Sequence, residues 1–185
     1  RFLNRLNPGS YIFIAQAGSS VKQLTVIVYR AELRLKADDG GQNDPSVGHS
    51  WWELYVNAQA KIPPVLPGVL TVYVDEAGYW PDDWTPMPPY PVSGPGDVWL
   101  ADQGHSYDGY YAWDLNIFTL IEGAEYVRDF DADPGTFHLY SHNCTHAAKD
   151  VASAVHNIVI PSGIWTPWFL SDYLMSLTPE LPPMW

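Results

Sequence analysis

The chain contains one cysteine, Cys144, in the stretch "YSHNCTHAAKD" (residues 140–150), flanked by Asn143 and by His142 and His146. A thiol near imidazoles suits nucleophilic attack on a carbonyl or metal ligation, and a small apolar side chain also suits plain core packing. From Cys144 onward, Ala147, Ala148, Val151 and Val155 recur at helical spacing, which predicts a helix with the cysteine in its first turn. The macrodipole and the unpaired amides there favour thiolate, and the Cys144 N–H is placed to donate to an oxyanion formed by attack at the sulfur. A lone cysteine on an apolar stripe is equally the pattern of a residue that only packs.

A nucleophilic thiol needs a base. On a helix starting near Asn143, His146 points about 160° away from Cys144, because each residue turns the helix by roughly 100°. His49 is better placed: it opens the strand-like run "HSWWELYV" after "SVG", so its imidazole lies at a sheet edge. The alternative of a metal held by His142, Cys144 and His146 requires extended backbone where the alanine-rich stripe predicts helix, and no fourth ligand is evident. No metal and no cofactor is expected.

The elements that must position these residues are legible in outline. Residues 11–17 and 24–36 read as strands, and in the second Ala31, Leu33 and Leu35 alternate with Arg30, Glu32, Arg34 and Lys36, the pattern of a sheet with one wet face. Residues 49–56 and 69–77 read as an antiparallel pair. Residues 78–109 are rich in Pro and Gly and are expected to form a long irregular loop walling a cleft, lined by Trp80, Trp84 and Trp99. Residues 114–130 suit a helix N-capped by Asp114, though Gly123 is unfavourable within it; 136–141 suit a short strand; 166–177 suit a helix with Pro167 near N1.

Composition narrows the class. A chain of 185 residues is the length of one domain, with 46% hydrophobic residues and no run long enough to span a membrane. Nine basic against 21 acidic residues give a net charge of −12, which repels a phosphate backbone and argues against a nucleic-acid partner. A single cysteine excludes an internal disulfide. No charged-then-apolar signal segment opens the sequence, so export is not expected to rely on one visible here; the abrupt start "RFLNRLNPG" is compatible with residues missing upstream.

"GHSWWEL", then "EAGYWPDD", then a helix, a strand and "NCTHAAKDV" together resemble a circularly permuted papain-type fold of the NlpC-like superfamily. In that order the strand histidine comes first and the nucleophile late, as Asn-Cys opening a helix. Lecithin:retinol acyltransferase-like enzymes are similar in order, and bacterial type VI secretion effectors of the peptidoglycan-hydrolase kind are similar in their Gly-His-x-Trp and Tyr-Gly-x-Trp-Pro segments. His142 stands where those effectors carry a first Asn. The resemblance covers about residues 25 to 177.

It implies an α+β fold over residues 1–185, a single papain-like cysteine hydrolase domain in which a twisted antiparallel sheet packs against the helix carrying the cysteine. Cys144 is then the nucleophile, His49 the general base, and a third polar residue orients the imidazole. Asp75 is expected in that role, at the end of the strand after the His49 strand, with Glu76, Asp97, Asp102 and His105 as alternatives. The implied activity is that of a cysteine amidase or endopeptidase cleaving peptidoglycan peptides, an antibacterial toxin delivered by a secretion machinery to the periplasm of a target bacterium and matched by an immunity protein. A thiol acyltransferase or a lipid or thioester hydrolase of the same fold is the alternative, and a non-catalytic glycan-binding module the alternative of another class.

Overall fold

The computed structural model describes residues 9–28, 31–40, 48–56, 76–82, 92–102, 106–156 and 158–177. Within them the order is β1 (Gly9–Ala17), β2 (Ser20–Val28), β3 (Ala31–Asp38), β4 (His49–Val56), β5 (Glu76–Pro81), β6 (Ser93–Leu100), β7 (Gly109–Leu115), α1 (Ile117–Ala132), β8 (Thr136–His138), α2 (Cys144–His156) and α3 (Pro167–Leu177). β1 and β2 pair as a separate hairpin, while the other six strands form an antiparallel sheet in the order β7-β3-β4-β5-β6-β8. The class is α+β.

Alternation along β3 and β4 sends one set of side chains to a core face. Leu33 pairs with Leu54, Leu35 with Trp52 and Ala37 with Ser50, all buried together with Leu120, Ala124 and Val127 of α1 and Leu170 and Leu174 of α3. Cys144, Ala147, Ala148, Val151 and Val155 of α2 are buried as the helical spacing predicts, joined by Ala152. Removing each valine from water contributes about 1.5–3 kcal/mol, which holds α2 against the sheet. Gly123, unfavourable by propensity, has a packing reason: a Cβ there would lie 2.6 Å from Val155 Cγ2 of α2.

The other face of the sheet corrects the expectation of a wet one. Glu32 is 4% and Lys36 8% exposed. Arg34 reaches Glu32 (2.8 Å) and Glu53 (3.1 Å), and Lys36 reaches Glu53 (3.1 Å) and Glu76. Period-2 alternation separates two faces but does not say whether the polar one is solvated, and here opposite charges pair instead.

Element boundaries shift for local reasons. The run 24–36 belongs to two strands, since β2 ends at Val28 and β3 begins at Ala31. The short strand at 136–141 ends at His138. Asp114 is not the helix cap, because it pairs with Glu32 within β7; Asn116 caps α1, its Oδ1 accepting from the amides of Phe118 (2.9 Å) and Thr119 (3.1 Å). The Pro- and Gly-rich segment 78–109 is not one irregular loop, for it supplies most of β5, all of β6 and the start of β7. Cross-strand pairing of β5 with β4, β6 with β5 and β7 with β3 overrides the weak local strand propensity there. Most of the expected strand 69–77 lies outside the described residues.

Candidate active site

His49 is the first residue of β4, and the residue before it shapes its entry. Gly48 has φ +68°, a left-handed backbone, and a Cβ there would lie 2.6 Å from Asp38 O. His49 itself is 4% exposed. Its ring stacks on Trp80 at 3.9 Å between centroids and on Trp51 at 5.5 Å. Its Nε2 lies 2.8 Å from Asp102 Oδ2, and Trp80 Nε1 donates to the same oxygen at 3.0 Å. A carboxylate only accepts, so Nε2 carries the ring proton and the imidazole lone pair resides on Nδ1.

Asp102 arrives by an unusual backbone path. Ala101, just beyond β6, has φ 61°, a left-handed conformation costing a non-glycine residue on the order of 1 kcal/mol. The Asp102 amide then donates to Glu76 O at 3.1 Å, anchoring the residue beside β5. The carboxylate reaches His49 across Gly78, where any Cβ would collide with Asp102 Oδ2 and lie 2.6 Å from His49 Nε2. Gly78 is therefore the floor over which the His49–Asp102 bond is made.

Cys144 opens α2, and Asn143 caps it. Asn143 Oδ1 accepts from the His146 amide at 3.2 Å, and Asn143 Nδ2 donates to Leu139 O at 2.7 Å and Trp165 O at 3.0 Å, tying three segments together. His146 returns its Nδ1 to Asn143, 2.9 Å from Oδ1 and 3.5 Å from the amide nitrogen, in the manner of a capping box with histidine at N3. Burial foremost, then Lys149, lowers the His146 pKa. His142 Nδ1 lies 2.9 Å from Thr136 O. Cys144 and His146 are both in α2 rather than on extended backbone, so the alternating arrangement a metal would need is not formed.

Burial pushes the Cys144 thiol from 9.0 up to about 11, against lowering contributions from the backbone amide of Ser50 and from the amide and hydroxyl of Thr145. Cys144 and His49 border one cavity of about 360 Å3, walled by Tyr79, Trp80, Phe137, Leu139, Tyr140 and Trp165 among others.

No family model, no curated protein and no solved structure matches the chain.

The sequence-derived residues therefore meet in part. Cys144 and His49 share a cavity. Asp75 and His105 lie outside the described residues. Glu76 pairs across from Glu53 and binds Lys36, and Asp97 pairs across from Trp80; among the described alternatives, Asp102 is bonded to His49. Reasoning from the β4–β5 hairpin looked to the strand beside β4, whereas Asp102 comes from beyond β6. The sequence signal was Gly78, a glycine inside a strand that marks close approach of another group. Of the expected cleft tryptophans, Trp80 lines the cavity, Trp99 packs on Trp80 at 5.3 Å, and Trp84 lies outside the described residues. A proton acceptor held by a buried carboxylate, lining the same cavity as a thiol at a helix start, has the parts for acyl transfer through sulfur.

Proposed function

We propose that this chain is a cysteine hydrolase of the permuted papain-like kind, cleaving amide bonds in peptidoglycan peptides as a secreted antibacterial toxin, with an immunity protein protecting its producer. The observation that carries the chemistry is the buried bond between His49 Nε2 and Asp102 Oδ2, 2.8 Å long, on a cavity shared with Cys144. The substrate and the setting rest on the resemblance of the sequence motifs.

In this reading the resting sulfur is a thiol, because burial holds its proton on. As Sγ attacks the carbonyl carbon, His49 Nδ1 takes the thiol proton, and Asp102 stabilises the imidazolium that results. The Cys144 amide, at the first helical position and without an intrahelical acceptor, can donate to the oxyanion. Collapse breaks the C–N bond, the imidazolium protonates the departing amine, and an acyl-enzyme remains. His49 then deprotonates a water, which attacks the acyl carbon; the sulfur leaves and recovers its proton from the imidazolium.

A second reading draws on the cavity wall. Tyr79, Trp80, Phe137, Leu139 and Trp165 present an apolar and aromatic lining, which suits a lipid acyl chain or thioester in place of a charged stem peptide. No helix among the described residues is long and apolar enough to cross a membrane.

The test is digestion of purified peptidoglycan by the wild type, Cys144→Ala and His49→Ala, with muropeptide analysis, alongside periplasmic expression of each in a Gram-negative host. New cleavage products and lysis from the wild type alone support the proposal. Hydrolysis of a long-chain acyl thioester with intact muropeptides favours the second reading, and equal toxicity of all three proteins overturns both in favour of binding without catalysis.

A further inference from the structure

We propose that Trp165 is a specificity-determining residue, and that it receives the part of the substrate beside the scissile carbonyl as an uncharged, apolar group. The proposal rests on the reading of Cys144 as a nucleophile, and it narrows the substrates which that reading admits.

Trp165 belongs to the segment between α2 and α3, and side chains from α2 and its cap hold that segment in place. Lys149 Nζ donates to Ile164 O at 2.7 Å and to Pro161 O at 3.2 Å, and Asn143 Nδ2 donates to Trp165 O at 3.0 Å. The two lysine bonds are charge-assisted and so stronger than neutral ones. The Ile164 amide closes the turn on Pro161 O at 3.1 Å. Three carbonyls of the segment are thus fastened to the helix that Cys144 opens. From this fixed backbone the Trp165 indole lines the cavity shared by Cys144 and His49, and it is 41% exposed, which leaves apolar surface for a ligand to cover. An aromatic ring held in advance loses little freedom when a ligand packs on it.

The remaining walls decide the character of that ligand. Among the described lining residues there is no Asp, Glu, Lys or Arg. Apart from the thiol, the buried polar side chains of the lining are already engaged: His49 Nε2 and Trp80 Nε1 on Asp102, Tyr79 Oη on Pro134 O, and Asn143 Nδ2 on Leu139 O and Trp165 O. A carboxylate or ammonium brought in beside the scissile bond would leave water without a countercharge to meet it, which is costly. An aliphatic or aromatic group would instead cover the rings of Trp165 and Phe137. A peptide is therefore cut beside a neutral residue, and an ester or thioester at an apolar acyl chain. A free carboxylate flanking the carbonyl excludes the bond.

The test reads recognition at the sulfur without turnover. Cys144 is alkylated with iodoacetate, iodoacetamide and the N-benzyl, N-butyl and N-octyl iodoacetamides, and each rate is divided by that of the urea-unfolded chain, which carries the same net charge of −12. Ratios between reagents cancel the thiolate fraction. The expected result is that the benzyl and butyl reagents exceed iodoacetamide by about tenfold, the gain from covering on the order of 50 Å2 of apolar surface, while iodoacetate falls below it by about tenfold or more. Trp165→Ala should remove most of the benzyl and butyl advantage and Lys149→Met part of it; a merely structural change would move all reagents together and leave the ratios standing. Trp168→Ala, which trims an exposed ring outside the cavity lining, should keep the advantage. The octyl reagent separates the sources: a further gain indicates a long acyl chain, no gain beyond butyl a neutral peptide residue, and either upholds the pocket. Equal normalised rates for iodoacetate and iodoacetamide, an apolar advantage that survives Trp165→Ala, or a folded thiol that no reagent reaches would overturn the proposal. Selective labelling of a protein that hydrolyses neither muropeptides nor thioesters would uphold the pocket and count against the hydrolase reading, so the two fail separately.

Discussion

His49 Nε2 and Asp102 Oδ2 are 2.8 Å apart, across 53 residues of sequence, with both side chains buried. The bond joins the start of β4 to the segment beyond β6, passing over β5 at its glycine. Everything proposed for the chemistry depends on this contact holding the imidazole in one tautomer.

Asp102→Asn retains shape but presents an amide that can donate to the imidazole, which permits the other tautomer. Hydrolysis is expected to fall by about a thousandfold with the far-UV circular dichroism unchanged. Asp75→Ala, assayed in parallel, should retain most activity. Loss confined to Asp75→Ala would move the orienting role back to that residue.

Gly78→Ala should be among the most damaging single-methyl additions in the sheet. A Cβ there cannot coexist with the His49–Asp102 bond, so either the carboxylate swings away or β5 shifts, at about 1–3 kcal/mol for overpacking. Urea denaturation checks the stability cost, and imidazole proton shifts by NMR check whether the bond survives. An unperturbed His49 resonance would mean that the strand moves instead.

Trp80→Phe separates two contacts of one residue. Phenylalanine keeps a ring against His49 but deletes the N–H that donates to Asp102. The expectation is about a tenfold loss in kcat with KM little changed, and a stability loss of roughly 1–2 kcal/mol for the lost charge-assisted bond. A purely structural role would show as lost stability with kcat intact.

Stability should carry a pH signature of the buried thiol. With its pKa raised from 9.0 to about 11, Cys144 keeps its proton in the native state while the unfolded chain has already lost it. Its contribution is then fully present below about pH 9 and is lost as pH rises toward and through 11. Urea midpoints of the wild type should fall relative to those of Cys144→Ala across that window. The comparison cancels tyrosine titration, which also occurs there; parallel curves would place the thiol pKa near its ordinary value.

Local patterns account for what the sequence by itself determined. His49 opening a strand, Cys144 opening a helix, the apolar stripe through Val155 and Pro167 starting the last helix are all written in the spacing of neighbouring residues, because helix and strand periodicities are short-range. The tertiary structure decided the rest. Asn116 rather than Asp114 caps α1 because β7 pairs as far as Leu115, and a cap forms where cross-strand pairing stops. Residues 93–100 become a strand despite their glycines and proline because β5 offers a partner. Asp102 meets His49 because a left-handed turn at Ala101 follows β6, and because Gly78 leaves room between them. Those contacts depend on register and on the path of distant segments, which no local pattern specifies.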